Sequence, residues 1–420
     1  MDFRKIGTEE SSTPSFVGPF LYALNRMQAN EVLRPSQYID RAQQMLTDRF
    51  GNTGSDAVVA YNQGMVGVIA DHTHYFAGFA LLLRLKQGMA VVVRYNDGEV
   101  SRVALEGVNT IIEFDARNRS EDGLPGLFAH LLHEVDPEES RQFDVSLVGA
   151  IPTGLGAAFH AAFAVSILKA LNPLLKSESG SPEQGESEEE KSALRDQALS
   201  ALSSWYGRSF SPAYVIACLS EHEDPFLLVD TGSMEYLPIE IPPGAKLGWG
   251  IIEWSRDWHS AITSSHPRMK VAGLVLKDLQ KSGFESIESL RDLEHQDLEK
   301  AIEAIPRRRR AALKHLVSEN RNVQKLVAAI RKTDWQFFGG LMMISQASKA
   351  TDWDTTSSLH ELVTNKAESA SLEGIFGVVQ TGEGSCMLVA GQPFSLPAFL
   401  DSIREFPDVH TSHEIETFII

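Results

Sequence analysis

The spacing of apolar and polar residues predicts that the first third of the chain is rich in strands. Residues Tyr38 to Phe50 repeat apolar side chains with the period of a helix and end before a glycine turn. Two apolar runs between Ala57 and Leu85 have the composition of strands, and they flank a short polar segment, Asp71-His-Thr-His74. Further strands are predicted at Ala90–Tyr95 and Val100–Leu105. One helix is therefore expected to precede this set of strands.

The stretch from Ser146 to Leu171 combines three features that together form an anion site. An apolar strand ends at Pro152, a turn with Gly154 and Gly156 follows, and an alanine-rich run with helical spacing comes next. Free backbone N–H groups and the dipole of the helix point at such a turn, and glycine lets a phosphate approach the main chain. A turn of this kind more often serves only to lead the chain tightly into a helix, so its meaning depends on other motifs.

The rest of the chain alternates between helical and strand-like spacing. Residues 176–192 are acidic and low in complexity, which predicts a disordered surface insertion because the segment cannot bury enough apolar surface. Arg307 to Arg310 opens a predicted helix, and a solvated helix face explains these arginines better than nucleic-acid contact. Helices are predicted at 123–134, 193–206, 267–283, 323–330 and 335–344, strands at 143–148, 226–230 and 246–252, and a strand, glycine turn and strand at 374–391.

Composition limits the class of protein. The chain has 420 residues, 43% of them hydrophobic, which is enough for two domains with their own cores. A net charge of −18 argues against nucleic acid or an anionic membrane as the main partner. Cys218 and Cys386 are too far apart in sequence for a zinc motif or a disulfide framework. The polar N-terminus and the lack of a long apolar run lead us to expect a cytoplasmic protein that does not span a membrane.

Three motifs in a fixed order carry a family resemblance. Met65-Val-Gly-Val-Ile-Ala-Asp-His-Thr-His-Tyr75 resembles Arg-Val-Asn-Leu-Ile-Gly-Glu-His-Thr-Asp-Tyr of the galactokinases, which belong to the GHMP small-molecule kinase superfamily. Pro152-Thr-Gly-Leu-Gly-Ala-Ala-Phe-His-Ala161 parallels their Pro-x-Gly-x-Gly-Leu-Ser-Ser-Ser-Ala. Val379-Gln-Thr-Gly-Glu-Gly-Ser-Cys386 is close to Thr-Gly-Ala-Gly-Phe-Gly-Gly-Cys, and Ile344-Ser-Gln-Ala-Ser-Lys349 is similar to a Ser-His-Ala-Ser segment. The resemblance extends from about residue 55 to the C-terminus.

The resemblance implies a two-domain α+β fold and a sugar kinase chemistry. It implies an N-terminal ribosomal-S5-like domain at residues 1–240 and a C-terminal ferredoxin-like domain at residues 241–420. In this family ATP phosphorylates the anomeric hydroxyl of galactose, an aspartate near an arginine takes or orients the hydroxyl proton, and Mg²⁺ with the glycine loop holds the triphosphate. A small sugar, a nucleotide and Mg-ATP are therefore the expected ligands if the protein is active.

The residues that this chemistry needs are missing from the first motif and from the base position. The family's arginine falls at Met65, its sugar-binding aspartate at His74 and its glutamate at Asp71. Counting back from the strand at 226–230 places the family's catalytic aspartate at Tyr214, and no carboxylate lies between Phe210 and Ser220. Because both members of the charged pair are absent, the site is predicted to have been repacked for another use.

The phosphate-binding motifs show the same loss. Ala158, Phe159 and His160 stand where the family has three serines, so the hydroxyl that would help to hold Mg²⁺ is absent. The turn residues Gly154, Gly156, Ala157 and Ala158 still offer backbone N–H groups. In the third motif Gly382 and Gly384 remain, whereas Glu383 between them places a negative charge near the phosphate position unless it points to solvent.

Three hypotheses about function remain open. The first is a galactokinase-like pseudokinase that binds a small sugar-like ligand or a protein partner as a sensor or scaffold. The second is an active sugar 1-kinase in which Asp71, His74 or His160 replaces the missing base. The third is a different enzyme on the same scaffold that uses His72 and His74 for acid–base chemistry near neutral pH. Asp71, His72 and His74 are candidate sugar contacts, packing is an alternative role for both histidines, and no third ligand supports a metal site.

Overall fold

The computed structural model describes residues 33–52, 57–120, 123–138, 141–176, 187–254, 258–382, 386–405 and 415–420. A seven-stranded sheet forms the first half, with strand order β4-β3-β5-β2-β6-β7 and with β1 paired to β2. Its strands are β1 Val58–Ile69, β2 Phe79–Asn96, β3 Ser101–Leu105, β4 Ile112–Phe114, β5 Gln142–Gly149, β6 Phe226–Asp230 and β7 Glu235–Ile239. A four-stranded sheet, ordered β11-β8-β10-β9, consists of β8 Gly248–Glu253, β9 Ile375–Gln380, β10 Cys386–Gly391 and β11 Glu416–Ile419.

Strand β2 organises the larger sheet because it pairs with three others. It lies antiparallel to β1 along almost its whole length. Its first half pairs with β6 and its second half with β5. The sequence pattern predicted two separate strands here, but the chain stays extended through Gln87 and Gly88. The loop between β1 and β2, which carries Asp71, His72 and His74, is thereby anchored by both of its flanking strands.

Eleven helices are seen among the described residues, and they cover the sheets. They are α1 Pro35–Phe50, α2 Gly123–Val135, α3 Ala157–Lys176, α4 Glu188–Tyr206, α5 Pro212–Leu219, α6 Trp258–Gln280, α7 Leu298–Ala304, α8 Arg307–Lys332, α9 Trp335–Thr351, α10 Ser358–Ser369 and α11 Leu396–Arg404. Most of the predicted helices are confirmed. Several boundaries were wrong. The helix predicted at 267–283 starts at Trp258, and the one at 323–330 is the end of the 26-residue helix α8. The helices predicted at 193–206 and 335–344 are longer, since they start at Glu188 and end at Thr351 respectively.

The structure describes only the two ends of the disordered acidic insertion that was predicted at 176–192. Residues 177–186 lie outside the described part of the chain. Ser187 begins helix α4, because its hydroxyl accepts the N–H of Glu190 and the Glu190 carboxylate accepts the N–H of Ser187. Three glutamates in the first turn, Glu188 to Glu190, also suit the positive end of the helix dipole. The C-terminal end of the predicted insertion is therefore helical.

Helix α3 is the central helix of the fold. Its alanines, Ala157, Ala158, Ala161, Ala162 and Ala164, are buried, and such small side chains allow close packing against β1. Residues Ala157–Leu175 are long and apolar enough to cross a membrane, contrary to the prediction that no such run exists. Because 78% of this run is buried inside the fold and a core helix passes the same test, it is weak evidence for a membrane span.

One apolar core joins the two sheets. It contains Phe226 of the large sheet, Ile251 and Val379 of the small sheet, and Phe338 of α9. A second cluster lies under α6, α7 and the start of α8 and includes Phe76 and Trp353. The domain boundary predicted near residue 240 remains a prediction, since the apolar packing runs across it.

Candidate functional site

The end of β1 and the loop that follows it bring the first motif into the interior. Met65 is fully buried in β1, and Asp71, His72 and Thr73 are buried in the loop. A short turn, Thr73–Phe76, ends at Ala77, which has a left-handed backbone conformation with φ of 56°. The predicted arginine position is therefore part of the apolar core.

Asp71 accepts three contacts from three different parts of the chain. The Tyr214 hydroxyl donates to its Oδ1 at 2.6 Å, and the backbone N–H of Gly382 donates to the same oxygen at 3.2 Å. The Lys349 ammonium lies 3.4 Å from Oδ2 and also donates to the Gln380 carbonyl at 2.6 Å. The side chains of Asp71 and Lys349 are only 4% and 2% exposed. Asp71 is therefore a paired, buried carboxylate.

Tyr214 occupies the predicted base position and fills the space around it. It is fully buried on helix α5. Strand β1 leaves room for it at Gly67, where an added Cβ would lie 2.6 Å from the Tyr214 hydroxyl oxygen. Its pairing with Asp71 leaves a phenol at the position assigned to the family's base, and a phenol is a poor acceptor of a proton at neutral pH.

Two histidines form a buried chain of hydrogen bonds with α8 and α9. His72 Nδ1 lies 2.9 Å from His315 Nε2, and His315 Nδ1 lies 2.9 Å from Ser348 Oγ. The Ser348 hydroxyl donates to Asp352 Oδ2 at 3.2 Å. Because a hydroxyl has one proton, His315 Nδ1 donates to Ser348 and its Nε2 accepts from His72 Nδ1. Both imidazoles are then neutral.

Burial keeps these imidazoles neutral at ordinary pH. Burial lowers the pKa of His72 well below its ordinary value, and His315 and Lys349 lower it further. The pKa of His315 falls to about 3, mainly because of burial and then because of Lys349. A base with so low a pKa is poorly matched to proton transfer near pH 7. Its partners therefore give His72 a packing and hydrogen-bonding role.

His74, two residues further along the loop, differs from His72. Both of its ring nitrogens are buried, and neither has a hydrogen-bond partner in the described part of the chain. Its ring packs edge-on against Tyr75 at 4.4 Å between centroids. Burial, and then the charge of Arg208, lowers the pKa of His74 to about 3. His74 is thus a neutral donor and acceptor with its hydrogen-bonding capacity unused.

The glycine turn lies against a carboxylate. Thr153–Leu155 forms a short turn before α3, and the Thr153 hydroxyl donates to Glu253 Oε1 at 3.4 Å. A Cβ added at Gly154 would lie 2.6 Å from the same Glu253 oxygen. Glu253, at the end of β8, is 2% exposed. The Glu253 carboxyl group therefore already occupies the approach to Gly154.

The third motif closes the other side of the turn. The N–H of Ala157, the first residue of α3, donates to the Gly382 carbonyl at 3.3 Å. Gly156 and Gly382 both have positive φ, and a Cβ at Gly156 would lie 2.4 Å from that carbonyl oxygen. Both glycines are thus required by this close approach of two backbones. Gly384 and Glu383 lie outside the described residues.

The two residues that follow the turn lie in the core. Phe159 is 3% exposed and packs within the main apolar cluster, and Ala158 is buried beside it. His160 Nδ1 lies 2.6 Å from the Tyr206 hydroxyl, and burial lowers the pKa of His160 to about 3. His160 therefore belongs to a buried aromatic cluster with Trp205 and Tyr206.

Comparison with known proteins identifies the scaffold. The chain is 26% identical over 335 residues to the galactokinase of Actinobacillus pleuropneumoniae serotype 5b, covering 77% of this chain and 81% of the relative. It is 26% identical over 400 residues to human galactokinase, covering 91% and 94%. The structure of Lactococcus lactis galactokinase complexed with galactose matches with a TM-score of 0.73 at 18% identity, covering 90% and 96%. The chain is thus similar to galactokinases over most of its length. No family model matches it.

The structural match confirms the expected two-domain α+β GHMP-kinase fold. The roles assigned to Met65, Tyr214, His74 and the glycine turn remain predictions, but the structure does bring Asp71, Tyr214 and Gly382 into direct contact. Among the residues described, no group of three histidine, cysteine, aspartate or glutamate side chains is placed to hold a metal ion.

Three polar residues of this galactokinase-like site were not predicted from the sequence. Lys349 is the last residue of the quoted segment Ile344–Lys349, and it lies on the buried face of α9 seven residues after Met342. Glu253 ends β8, one residue beyond the strand predicted at 246–252. Glu319, on the buried face of α8, accepts the Ser345 hydroxyl at 2.8 Å, and burial raises the pKa of Glu319. In each case the sequence pattern that could have identified the residue is a charged side chain at a position where the periodicity predicts an apolar one.

Proposed function

We propose that this galactokinase-family protein binds a small sugar-like ligand and no longer transfers phosphate efficiently, so that it acts as a sensor or scaffold. The observation that carries the proposal is the contact of Glu253 with the glycine turn. A triphosphate needs positive charge and free N–H groups where its oxygens lie. Here a carboxylate faces Gly154, and the N–H of Ala157 is engaged by the Gly382 carbonyl.

The base position supports the same proposal. Tyr214 and Asp71 bond to each other, and Lys349 holds the second carboxylate oxygen. Freeing Asp71 to accept a sugar proton would break a buried charge pair, which typically costs about 3–5 kcal/mol. The pair therefore holds the side chains of Asp71, Tyr214 and Lys349 in a single conformation. We infer that it replaces, as a structural element, the charged pair of an active kinase.

His74 supports a ligand that both donates and accepts hydrogen bonds. A neutral imidazole has one donor and one acceptor nitrogen, which matches a sugar hydroxyl. Buried polar atoms without partners cost about 1–3 kcal/mol each, so a ligand that satisfied them would gain that energy. Because the related Lactococcus lactis galactokinase was solved in complex with galactose, a hexose is the first ligand to test. A protein partner that covers the cleft is the alternative occupant.

An active kinase is the second candidate, because Lys349 and Asp71 do place a cation against a carboxylate. In that case the pair would have to separate when substrate binds. The hypothesis of acid–base catalysis by His72 and His74 is less well supported, because burial holds the pKa values of both histidines well below the ordinary value. Only the second candidate, an active kinase, would use Mg-ATP. A cytoplasmic location remains a prediction.

The deciding experiment combines calorimetry with a coupled kinase assay. We expect galactose or a related hexose to bind, Mg-ATP to bind weakly or not at all, and no sugar-dependent ATP turnover to occur. Turnover on the order of 1 per second or more would overturn the proposal in favour of an active kinase.

A variant of the turn sharpens this test. Glu253→Gln should strengthen Mg-ATP binding about tenfold, because one repelling charge next to phosphate is worth on the order of 1.4 kcal/mol. Glu235→Gln, at an exposed position on β7, is the matched control and should leave binding unchanged. Equal nucleotide affinity in Glu253→Gln and in the unmodified protein would show that the carboxylate does not exclude phosphate.

A further inference from the structure

A polar cavity of about 360 Å³ lies outside the cleft, between α8 and the Leu290–Asp292 turn. Its volume is within the range of about 300–1,000 Å³ that is typical of small-molecule sites. Its walls combine cationic, anionic, amide and apolar side chains: Leu290, Arg291, Leu293, Glu294, Val317, Asn320, Arg321 and Gln324. Neither Glu253 nor any residue of the three motifs takes part in it.

Arg321 is the unusual member of this wall. Its Nη1 is buried and has no hydrogen-bond partner among the residues for which the structure gives a position. A guanidinium stays charged at every ordinary pH, and a buried charge without a partner is costly. An acceptor is therefore expected at this nitrogen.

Three other cations among the described residues are each paired with a carboxylate. Arg94 lies 3.0 Å from Asp144, and Lys349 lies 3.4 Å from Asp71. Arg291, in the same cavity wall, binds both oxygens of Asp230 at 2.8 and 2.9 Å. The charge of Arg291 is thus balanced inside the protein. Arg321 remains as the cation that a ligand would balance.

We propose that the cavity binds a small molecule with one carboxylate or phosphate group, and that Arg321 holds this group. A guanidinium offers a planar pair of donors that matches such an oxyanion. The exposed carboxylate of Glu294 on the same wall disfavours a second anionic group. The other end of the ligand is therefore neutral or positively charged. Amides of Asn320 and Gln324 supply neutral polar contacts.

The experiment follows thermal unfolding of the full-length protein with three probes: inorganic phosphate, acetate and β-alanine. Sodium chloride at equal ionic strength corrects for general screening. We expect at least one probe to raise the melting temperature with a saturable dependence on concentration. Comparison of inorganic phosphate with acetate shows whether the site prefers a phosphate or a carboxylate group. β-Alanine tests a ligand that combines a carboxylate with a positive charge at its other end. Failure of all three probes to exceed chloride would overturn the proposal.

Two variants and a matched control test the role of Arg321. Arg321→Met should weaken probe binding at least about tenfold, because a charge-assisted pair is lost. Gln324→Trp changes an exposed residue of the wall and should block the cavity without altering the core. Arg308→Met removes the same charge from an exposed position of the same helix and should bind like the unmodified protein. Retention of binding in Arg321→Met, or equal loss in Arg308→Met, contradicts the site.

The stability of Arg321→Met without any probe is a further check. If Arg321 has no internal partner, its removal should leave the melting temperature equal or raise it. A large fall in the melting temperature would mean that Arg321 has an internal partner, and that result also overturns the proposal. Because the cavity shares no residue with the glycine turn, these results are independent of whether the cleft binds a sugar.

Discussion

Asp71 and His74 lie on the same loop, but the polar atoms of Asp71 have hydrogen-bond partners among the described residues and those of His74 do not. Asp71 is bound by Tyr214, Lys349 and the backbone of Gly382. His74 buries both ring nitrogens without a partner among the described residues. A fully paired polar group stabilises the folded chain, whereas an unpaired one lowers stability unless a ligand satisfies it. The comparison separates a part of the loop whose polar atoms are paired from a part whose hydrogen-bonding capacity is unused.

The largest expected effect comes from breaking the Asp71–Lys349 pair. Lys349→Met should lower the free energy of unfolding by about 3 kcal/mol, because it leaves a buried carboxylate without its cation. Urea denaturation measures this change. Lys314→Met is the control, since Lys314 pairs with Asp352 at an exposed surface where such a change costs less than about 1 kcal/mol. Equal effects of the two variants would show that the Asp71–Lys349 pair contributes no more to stability than the Lys314–Asp352 pair.

Tyr214→Phe should have the next largest effect. It removes the hydroxyl that donates to Asp71 at 2.6 Å while keeping the ring. A hydrogen bond to a charged group contributes about 1.5–3 kcal/mol, and the free energy of unfolding should fall by that amount. Tyr236→Phe, at a partly exposed position on β7, should change little. If Tyr214→Phe were neutral, the hydroxyl would have to be solvated rather than bonded to the carboxylate.

The local elements of both regions were predictable from the sequence, whereas their contacts were not. Apolar spacing located the strand, glycine turn and helix around Gly154, because strand and helix periods depend only on neighbouring residues. The Lys349–Asp71 contact joins residues 278 positions apart. Glu253 and Thr153 are 100 positions apart. Periodicity shows which face of an element is buried, but not which other element covers that face.

The resemblance supplied what periodicity could not. It assigned Asp71, Tyr214 and the third motif to positions of one sugar-kinase site, and in the structure Tyr214 and Gly382 both donate to Asp71. It assigned no role to Lys349, the last residue of the compared segment Ile344–Lys349, or to Glu253, which lies outside the motifs. Both are charges at buried positions, where composition alone expects apolar residues.

The pH dependence of stability isolates His74 from the paired cluster. The pKa of His74 is about 3 in the folded chain and lies near 6.5 in the unfolded chain, so the unfolded state binds the extra proton between these values. Stability from this residue is full above pH 6.5 and is lost as the pH falls towards 3. Between pH 6.5 and 5 the loss is about 2 kcal/mol. His74→Phe should lack this part of the slope in urea denaturation at several pH values, whereas a parallel slope in both proteins would mean that His74 is solvated.

The smallest expected effect on stability is that of His74→Phe at pH 7.5, and it gives the sharpest test of the comparison. No hydrogen bond within the described chain is lost, and a ring of similar shape remains against Tyr75. The free energy of unfolding should therefore change by less than about 1 kcal/mol. The stabilisation by galactose should disappear, although at 100 times its dissociation constant a ligand adds about 2.7 kcal/mol to the unmodified protein. Lys349→Met, by contrast, should mainly lower the free energy of unfolding, and any weaker response to galactose should be a consequence of that loss. If His74→Phe kept the full response to the sugar, the unpaired nitrogens would not be the contact, and the division of the loop into a structural and a binding part would fail.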